Sequence, residues 1–504
     1  MTRGSCGNRV CTVAAWTMLL VVWGCQPHYR PVDAEVLLSG GCERIAPAAI
    51  AGHIGTLADP ARGGRMVATP GNALARQYIV QQFQSIGLKG GARGGQWVQP
   101  FEIQSMRTPG EGSALKVPML PPLQVFKDFA PMAAGCSGSF AGEIVFIGYG
   151  QHASDYATAA VKGKIVLLLQ GTSAGVSKES LWWNKGSNLR DMLTAEKLAH
   201  AAKAGAAAVL LVTPPQVPVS DAEDALDSMI GRANGPLPAM RISRTLAREI
   251  LAQSPRRQLL EDLAAGKKPL SADLGVRVSG ACDLAPAMGQ NVIAVLPATA
   301  GADAPALVVG AHYDHLPASG QHARDAGLGV RPGADDNASG VAALIETARA
   351  VAALKDRKCT YIFIAFDAEE FGFLGSRHYV NYPVAPLHRT AAMINFDQIG
   401  AVKDDQVTVI GNCIRQPFQQ ALAVAALAQR PTRVQPLGVV NRSTWSDQSS
   451  FNACNIPTLF FFGRFSEHYH RRSDRTETVN MSGVAQVANL AVDTLRLLDA
   501  SFAP

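Results

Sequence analysis

The sequence predicts an α/β layer fold with a largely buried central sheet, and three observations carry that reading. From Asn291 onward short apolar strands alternate with helical stretches, the pattern of α/β proteins. Strands such as Thr360–Phe366 are near-continuous apolar runs, as expected when both faces of a sheet are covered. Apolar residues make up 47% of the chain and charged residues 17%, which excludes an intrinsically disordered protein. At 504 residues the chain is long enough for two to four domains.

The N-terminus reads as an export signal. Arg3 and Arg9 precede an apolar run from Val13 to Trp23, which is too short to span a bilayer. Residues 1–25 end in Val22-Trp23-Gly24-Cys25, which resembles a bacterial lipobox with Cys25 as the lipidated residue. Trp23 departs from the small residue usual there, so ordinary secretion and an uncleaved anchor stay open. Gln26 after Cys25 favours the outer membrane, facing the periplasm or the cell surface. Residues 26–41 read as a tether, and membrane contact is expected through the N-terminal lipid alone.

Next comes an amphipathic helix over Asn72–Gly87, where Leu74, Tyr78, Ile79, Phe83 and Ile86 recur at helical spacing. Residues 105–123, rich in Pro and Gly, read as a crossing between domains. A different texture begins near Ala141. Strands are expected at Glu143–Gly148, Lys164–Leu169 and Ala206–Val212, a helix at Thr194–Gly205 and a polar loop over 214–236. After Asn291, strands are expected at Val292–Leu296, Ala306–Gly310, Thr360–Phe366, Ala392–Phe396, Gln406–Ile410 and Thr458–Phe462. Helices are expected at Val341–Leu354, Phe371–Val380 and Val484–Leu498.

Charge and cysteine usage narrow the function classes. A net charge of +6 with no basic run argues against nucleic-acid binding. Six of the nine cysteines lie beyond the signal: Cys42, Cys136, Cys282, Cys359, Cys413 and Cys454. They permit disulfides in an oxidising compartment, or they are buried thiols. No C-x-x-C motif suggests thiolate zinc or redox chemistry.

The chemistry sits at the ends of the late strands, where open α/β sheets bind ligands. Ala306–Gly310 runs into His312-Tyr313-Asp314-His315. Gly333-Ala334-Asp335-Asp336-Asn337-Ala338-Ser339-Gly340 precedes a helix. Thr360–Phe366 ends in Asp367-Ala368-Glu369-Glu370, Ala392–Phe396 in Asp397, and Thr458–Phe462 is followed by His468-Tyr469-His470. Alone, each segment has a plain structural use as a cap, a solvated face or a packed residue. Together, two histidines and three carboxylates at consecutive strand ends supply mixed N/O ligands suited to zinc. One carboxylate can bridge two ions, and a second Glu beside a ligand Glu can accept a proton from an attacking water.

These segments resemble the M28 family of co-catalytic zinc aminopeptidases, in the bacterial form with an inserted protease-associated (PA) domain. Gly64-Arg65, Thr69-Pro70-Gly71 and the helix to Gly87-Leu88 fit the same family. Val145–Gly150 followed by Gly163–Val166 resembles the PA insert. The resemblance implies a three-layer α/β/α zinc-peptidase domain with a mixed central sheet, plus an inserted β-rich PA domain. Its expected parts are 42–120 and 285–504 for the catalytic domain, with the insert at 121–284 between them.

The family pattern implies two zinc ions and peptide substrates. His312 and Asp397 would hold one ion, Glu370 and His470 the other, and Asp335 would bridge them across a cis Asp335–Asp336 bond. Glu369 would be the general base. Asp314 would orient His312 through its other ring nitrogen. Two departures stand out. A Ser-Asp-His stretch common in the family is Ser446-Asp447-Gln448 here. Residues 435–455 contain no Tyr to stabilise an oxyanion, only Trp445, so that donor stays unassigned.

Other readings are a carboxypeptidase or dipeptidase of the same fold, a glutaminyl cyclase, and a receptor-like relative without activity. Gly171-Thr172-Ser173-Ala174-Gly175 matches G-x-S-x-G, but no convincing helix follows it as a serine nucleophile elbow needs. Sequence alone leaves oligomeric state and the preferred N-terminal residue open.

Overall fold

The structure is a computed structural model that describes residues 43–157, 159–172, 187–216, 235–317, 324, 329–403, 406–411, 416–428, 433–437 and 445–502. The expected signal with Cys25, the tether, Cys42, Cys413 and Ser173–Gly175 lie outside the described residues.

A nine-stranded mixed sheet carries the late segments. Its order is Lys89–Gly90, Leu284–Leu296, Thr360–Phe366, Ala306–His312, Thr390–Asp397, Thr458–Phe462, Gln406–Gly411 and Arg433–Leu437; Val98–Pro109 also pairs with Leu284–Leu296. The four strands from Thr360–Phe366 to Thr458–Phe462 are mutually parallel. His312 pairs with Phe366, and Asp397 with Phe462. Parallel strands in matched register end together, and neighbours stand about 4.8 Å apart. Residues just past those ends are therefore collected into one patch.

Strand period sets the layers. Leu307, Val309 and Ala311 face helices Pro47–Leu57, Pro70–Ile86, Gly340–Ala352 and Met481–Ser501. Ala306 and Val308 face the other side, against Tyr379 of helix Leu374–Asn381 and Phe451 of helix Gln448–Ala453. Helices thus cover both faces of the sheet. The helix expected at Asn72–Gly87 spans Pro70–Ile86. Thr69 Oγ1 accepts its Asn72 N–H at 3.3 Å, and Gly87 closes it at φ +85°.

The segment between is a second, seven-stranded sheet with its own cores. Its order is Ala114–Lys116, Ala272–Cys282, Gly138–Gly148, Ile165–Leu169, Ala208–Val212, Ala239–Ile242 and Phe129–Pro131. Ala114–Lys116 falls within the residues expected for the catalytic domain, yet it pairs in this second sheet. The crossing is tied at Gly110, whose N–H meets Asp283 O at 2.8 Å. Among the described residues Cys136, Cys282, Cys359 and Cys454 are free thiols, and no helix is long and apolar enough to cross a membrane.

Candidate metal centre

The parallel strand ends and the turn before helix Gly340–Ala352 bring a group of carboxylates and three imidazoles together. His312, Asp336 and Asp397 bring one donor atom each within 4.8 Å of one another, and so do His315, Asp336 and Glu370. His312 Nε2 stands 3.3 Å from Asp397 Oδ1 and 3.4 Å from Asp336 Oδ1. On the other side His470 Nε2 stands 3.1 Å from Asp336 Oδ2 and 3.6 Å from Glu370 Oε2. Asp336 belongs to both groups, one oxygen toward each.

This corrects the expected bridge. Asp335 was placed there from the sequence, but its carboxylate turns away: Oδ1 accepts Gly400 N–H at 2.6 Å and the Ser339 hydroxyl at 3.3 Å. The cis bond is Asp336–Asn337, not Asp335–Asp336. Two neighbouring aspartates look alike in sequence; the path of the turn decides which one faces the histidines. That turn is pinned from outside. Asp474 accepts the N–H groups of Asp335 at 2.8 Å and Asp336 at 3.0 Å, and Asn337 Nδ2 donates to Phe396 O at 2.9 Å.

Glu369 and Glu370 diverge although adjacent. Glu370 points between His315 and His470, whereas Glu369 Oε2 comes no nearer to His312 Nε2 than 4.0 Å. Asp314 holds this acidic turn: Oδ1 accepts Glu369 N–H at 3.0 Å and Oδ2 accepts Glu370 N–H at 3.3 Å. His312 Nδ1 lies 3.2 Å from Asp314 O and 3.6 Å from Asp314 Oδ1. So Asp314, two residues past the end of strand Ala306–His312, ties His312 and both glutamates together.

Charge separates the acids further. Burial would raise Asp336, but His312 and His470 hold its carboxyl well below the usual range. Burial pushes Glu369 well above that range, with His312 opposing and Asp397 and Glu370 adding to the push. Burial opposes the charge on His312, yet Glu369 and Asp397 hold its pKa well above normal. Asp447, behind this group, is pushed up to about 7 by burial.

A cation fits the donor set on a structural observation. Asp336 Oδ2, Glu370 Oε1 and both ring nitrogens of His315 are buried without a hydrogen-bond partner. Buried polar atoms are normally satisfied, and clustered carboxylates need a counter-charge. Nitrogen and oxygen donors with no thiolate suit zinc.

The sequence alone assigns no role to several residues at the site. His315, three positions after His312, is one. Asp474 is another. Arg65 is a third: fully buried, it donates to the carbonyls of Tyr313 at 2.9 Å, Leu57 at 3.1 Å, Pro332 at 2.5 Å and Gly333 at 2.9 Å. His468, by contrast, pairs with Glu467 away from the cluster.

Residues 291–495 carry the pattern of Peptidase family M28, and residues 129–250 that of a PA domain. Every donor of the cluster lies inside the M28 match. The chain is similar to Aminopeptidase YwaD of Bacillus subtilis, 40% identical over 18% of this chain and 18% of that one. It is also similar to Leupeptin-inactivating enzyme 1 of Streptomyces exfoliatus, 32% identical over 34% of this chain and 35% of that one. A third relative is the Probable lipoprotein aminopeptidase LpqL of Mycobacterium tuberculosis, 24% identical over 73% of this chain and 62% of that one. The chain thus spans less than two thirds of each of these relatives.

Proposed function

We propose that the protein is an exported aminopeptidase that removes N-terminal residues from peptides with two zinc ions. The observation that carries this is Asp336, shared between two buried donor groups of mixed N/O chemistry. In this reading His312 and Asp397 would hold one ion, Glu370 and His470 the other, and Asp336 would be shared between them. When bound, the ions supply an attacking water of lowered pKa and a polarised scissile carbonyl. Glu369, off both donor groups and fixed by the Asp314 clasp on its N–H, accepts the water proton and returns it to the leaving amine. Asp314 positions His312 and the Glu369–Glu370 turn. The aminopeptidase names of YwaD and LpqL support the substrate class. The lipoprotein name of LpqL, with the lipobox-like Cys25, supports anchoring by an N-terminal lipid.

The test is zinc content with a substrate panel. Zinc-loaded protein is expected to carry two ions per chain and to cleave aminoacyl arylamides and C-blocked peptides. N-blocked peptides should be inert. Cleavage of N-blocked peptides alone makes it a carboxypeptidase. Formation of pyroglutamate makes it a cyclase. Neither activity after zinc loading leaves the receptor-like reading.

A further inference from the structure

We propose that His315 is an additional ligand to the ion between Glu370 and His470, which closes that half of the site. The inference rests on the two-ion reading above. It assigns the open position, where water and substrate meet, to the His312–Asp397 half.

His315 is completely buried, and neither ring nitrogen has a hydrogen-bond partner among the described residues. Its Nδ1 nevertheless stands 3.0 Å from Glu370 Oε1 and 3.9 Å from Asp336 Oδ2. The His470 ring lies across from it, edge to face, with centroids 6.1 Å apart. Zinc bonds of about 2.0–2.1 Å in a tetrahedron put donors roughly 3.3 Å apart. The four separations of His315 and His470 from Asp336 and Glu370 run from 3.0 to 3.9 Å and scatter about that value.

The backbone makes room for this imidazole. A Cβ on Gly333 would come within 2.6 Å of His315 Cδ2, and Gly333 is also left-handed at φ +59°. His315 N–H is fixed to Arg65 O at 3.2 Å. The ring is thus seated by a glycine on one side and aimed at two carboxylates on the other.

The consequence is an asymmetric pair. Asp336, Glu370, His470 and His315 make four protein donors, the number at which structural zinc sites are closed. His312, Asp397 and Asp336 make three, the number that leaves catalytic zinc a free position. Glu369 stands on this second side, nearest His312. The general base and the open position therefore coincide.

The experiment uses the full chain with two equivalents of cobalt(II). Each imidazole bound to cobalt gives one strongly shifted, solvent-exchangeable ring N–H signal by proton NMR. The wild type should show three, from His312, His470 and His315, and His315→Ala should show two. Competition with a chromophoric chelator should show the tighter zinc site weakened in His315→Ala by more than about 100-fold, beyond the 10–100-fold that losing an outer hydrogen bond costs. The looser site should change far less. Two shifted signals in a wild type that holds two ions would overturn the inference and leave His315 a hydrogen-bond partner of Glu370. The wild-type count needs no variant to fold. A wild type that holds fewer than two ions overturns the two-ion reading itself, a separate result.

Discussion

Glu369→Gln isolates proton transfer from metal binding. The amide keeps the shape of the side chain, and the backbone N–H bond to Asp314 is untouched. Glu369 lies 4.0 Å from His312 Nε2, against 3.3 Å for Asp397 and 3.4 Å for Asp336, so it stands outside the donor group. Zinc content should stay at the wild-type level. General acid–base catalysis is worth roughly 10²–10⁴-fold, so kcat should fall by that factor, about 2.7–5.4 kcal/mol in barrier. KM should change little, because the loss falls on the transition state. Structure adds a second expectation. Burial and the neighbouring acids Asp397 and Glu370 make the Glu369 charge costly, so the neutral amide should not lower the melting temperature. The assay is steady-state hydrolysis of a leucyl arylamide beside zinc analysis of the same sample. Loss of zinc with activity restored by excess zinc would show that Glu369 is a ligand. Near-wild-type activity would remove it from the mechanism.

Three further outcomes follow from the same geometry. Glu370→Gln should weaken zinc binding, since a neutral amide oxygen is a poorer ligand, and excess zinc should restore part of the activity; unchanged affinity by chelator competition would argue against its role. Arg65→Met should destabilise the protein by about 3 kcal/mol or more, because four buried carbonyls lose their donor, and an unshifted denaturant midpoint would refute this. Lys197, on the helix Ser187–Lys203 beside the inserted sheet, donates to Leu169 O at 2.6 Å, and burial lowers its pKa to about 7. A base lowered in the fold binds fewer protons there than in the unfolded chain, whose Lys titrates near about 10.4. Stability of that sheet should therefore rise with pH between about 7 and 10.4, and Lys197→Met should flatten the rise. Hydrogen exchange in Ile165–Leu169 and Ala208–Val212 reads it.

The fold was legible where strands are fully apolar. Thr360–Phe366 and Thr458–Phe462 match the sequence expectation residue for residue, because a strand covered on both faces has no polar positions to blur its ends. Ala272–Cys282 and Val98–Pro109 were missed. Their exposed alternate residues and the Gly and Pro within them read as loop, and pairing with distant partners makes them strands. At the site, residue types and strand ends were legible, and the ordered segments pointed to the family. The bridge was misplaced by one residue, since only the turn held by Asp474, Gly400 and Asn337 selects Asp336 over Asp335. His315 was passed over because it lies in a loop, where no periodicity says which way a side chain three residues after a ligand points. Arg65 acts through carbonyls, which leave no trace in sequence.

An anomalous difference map at the zinc edge, from crystals of the zinc-loaded protein, tests the central claim most directly. Two peaks are predicted, one beside His312 and Asp397 and one beside Glu370 and His470, with the Asp336 carboxylate between them. A single peak, or two peaks with Asp335 between them, would contradict the account.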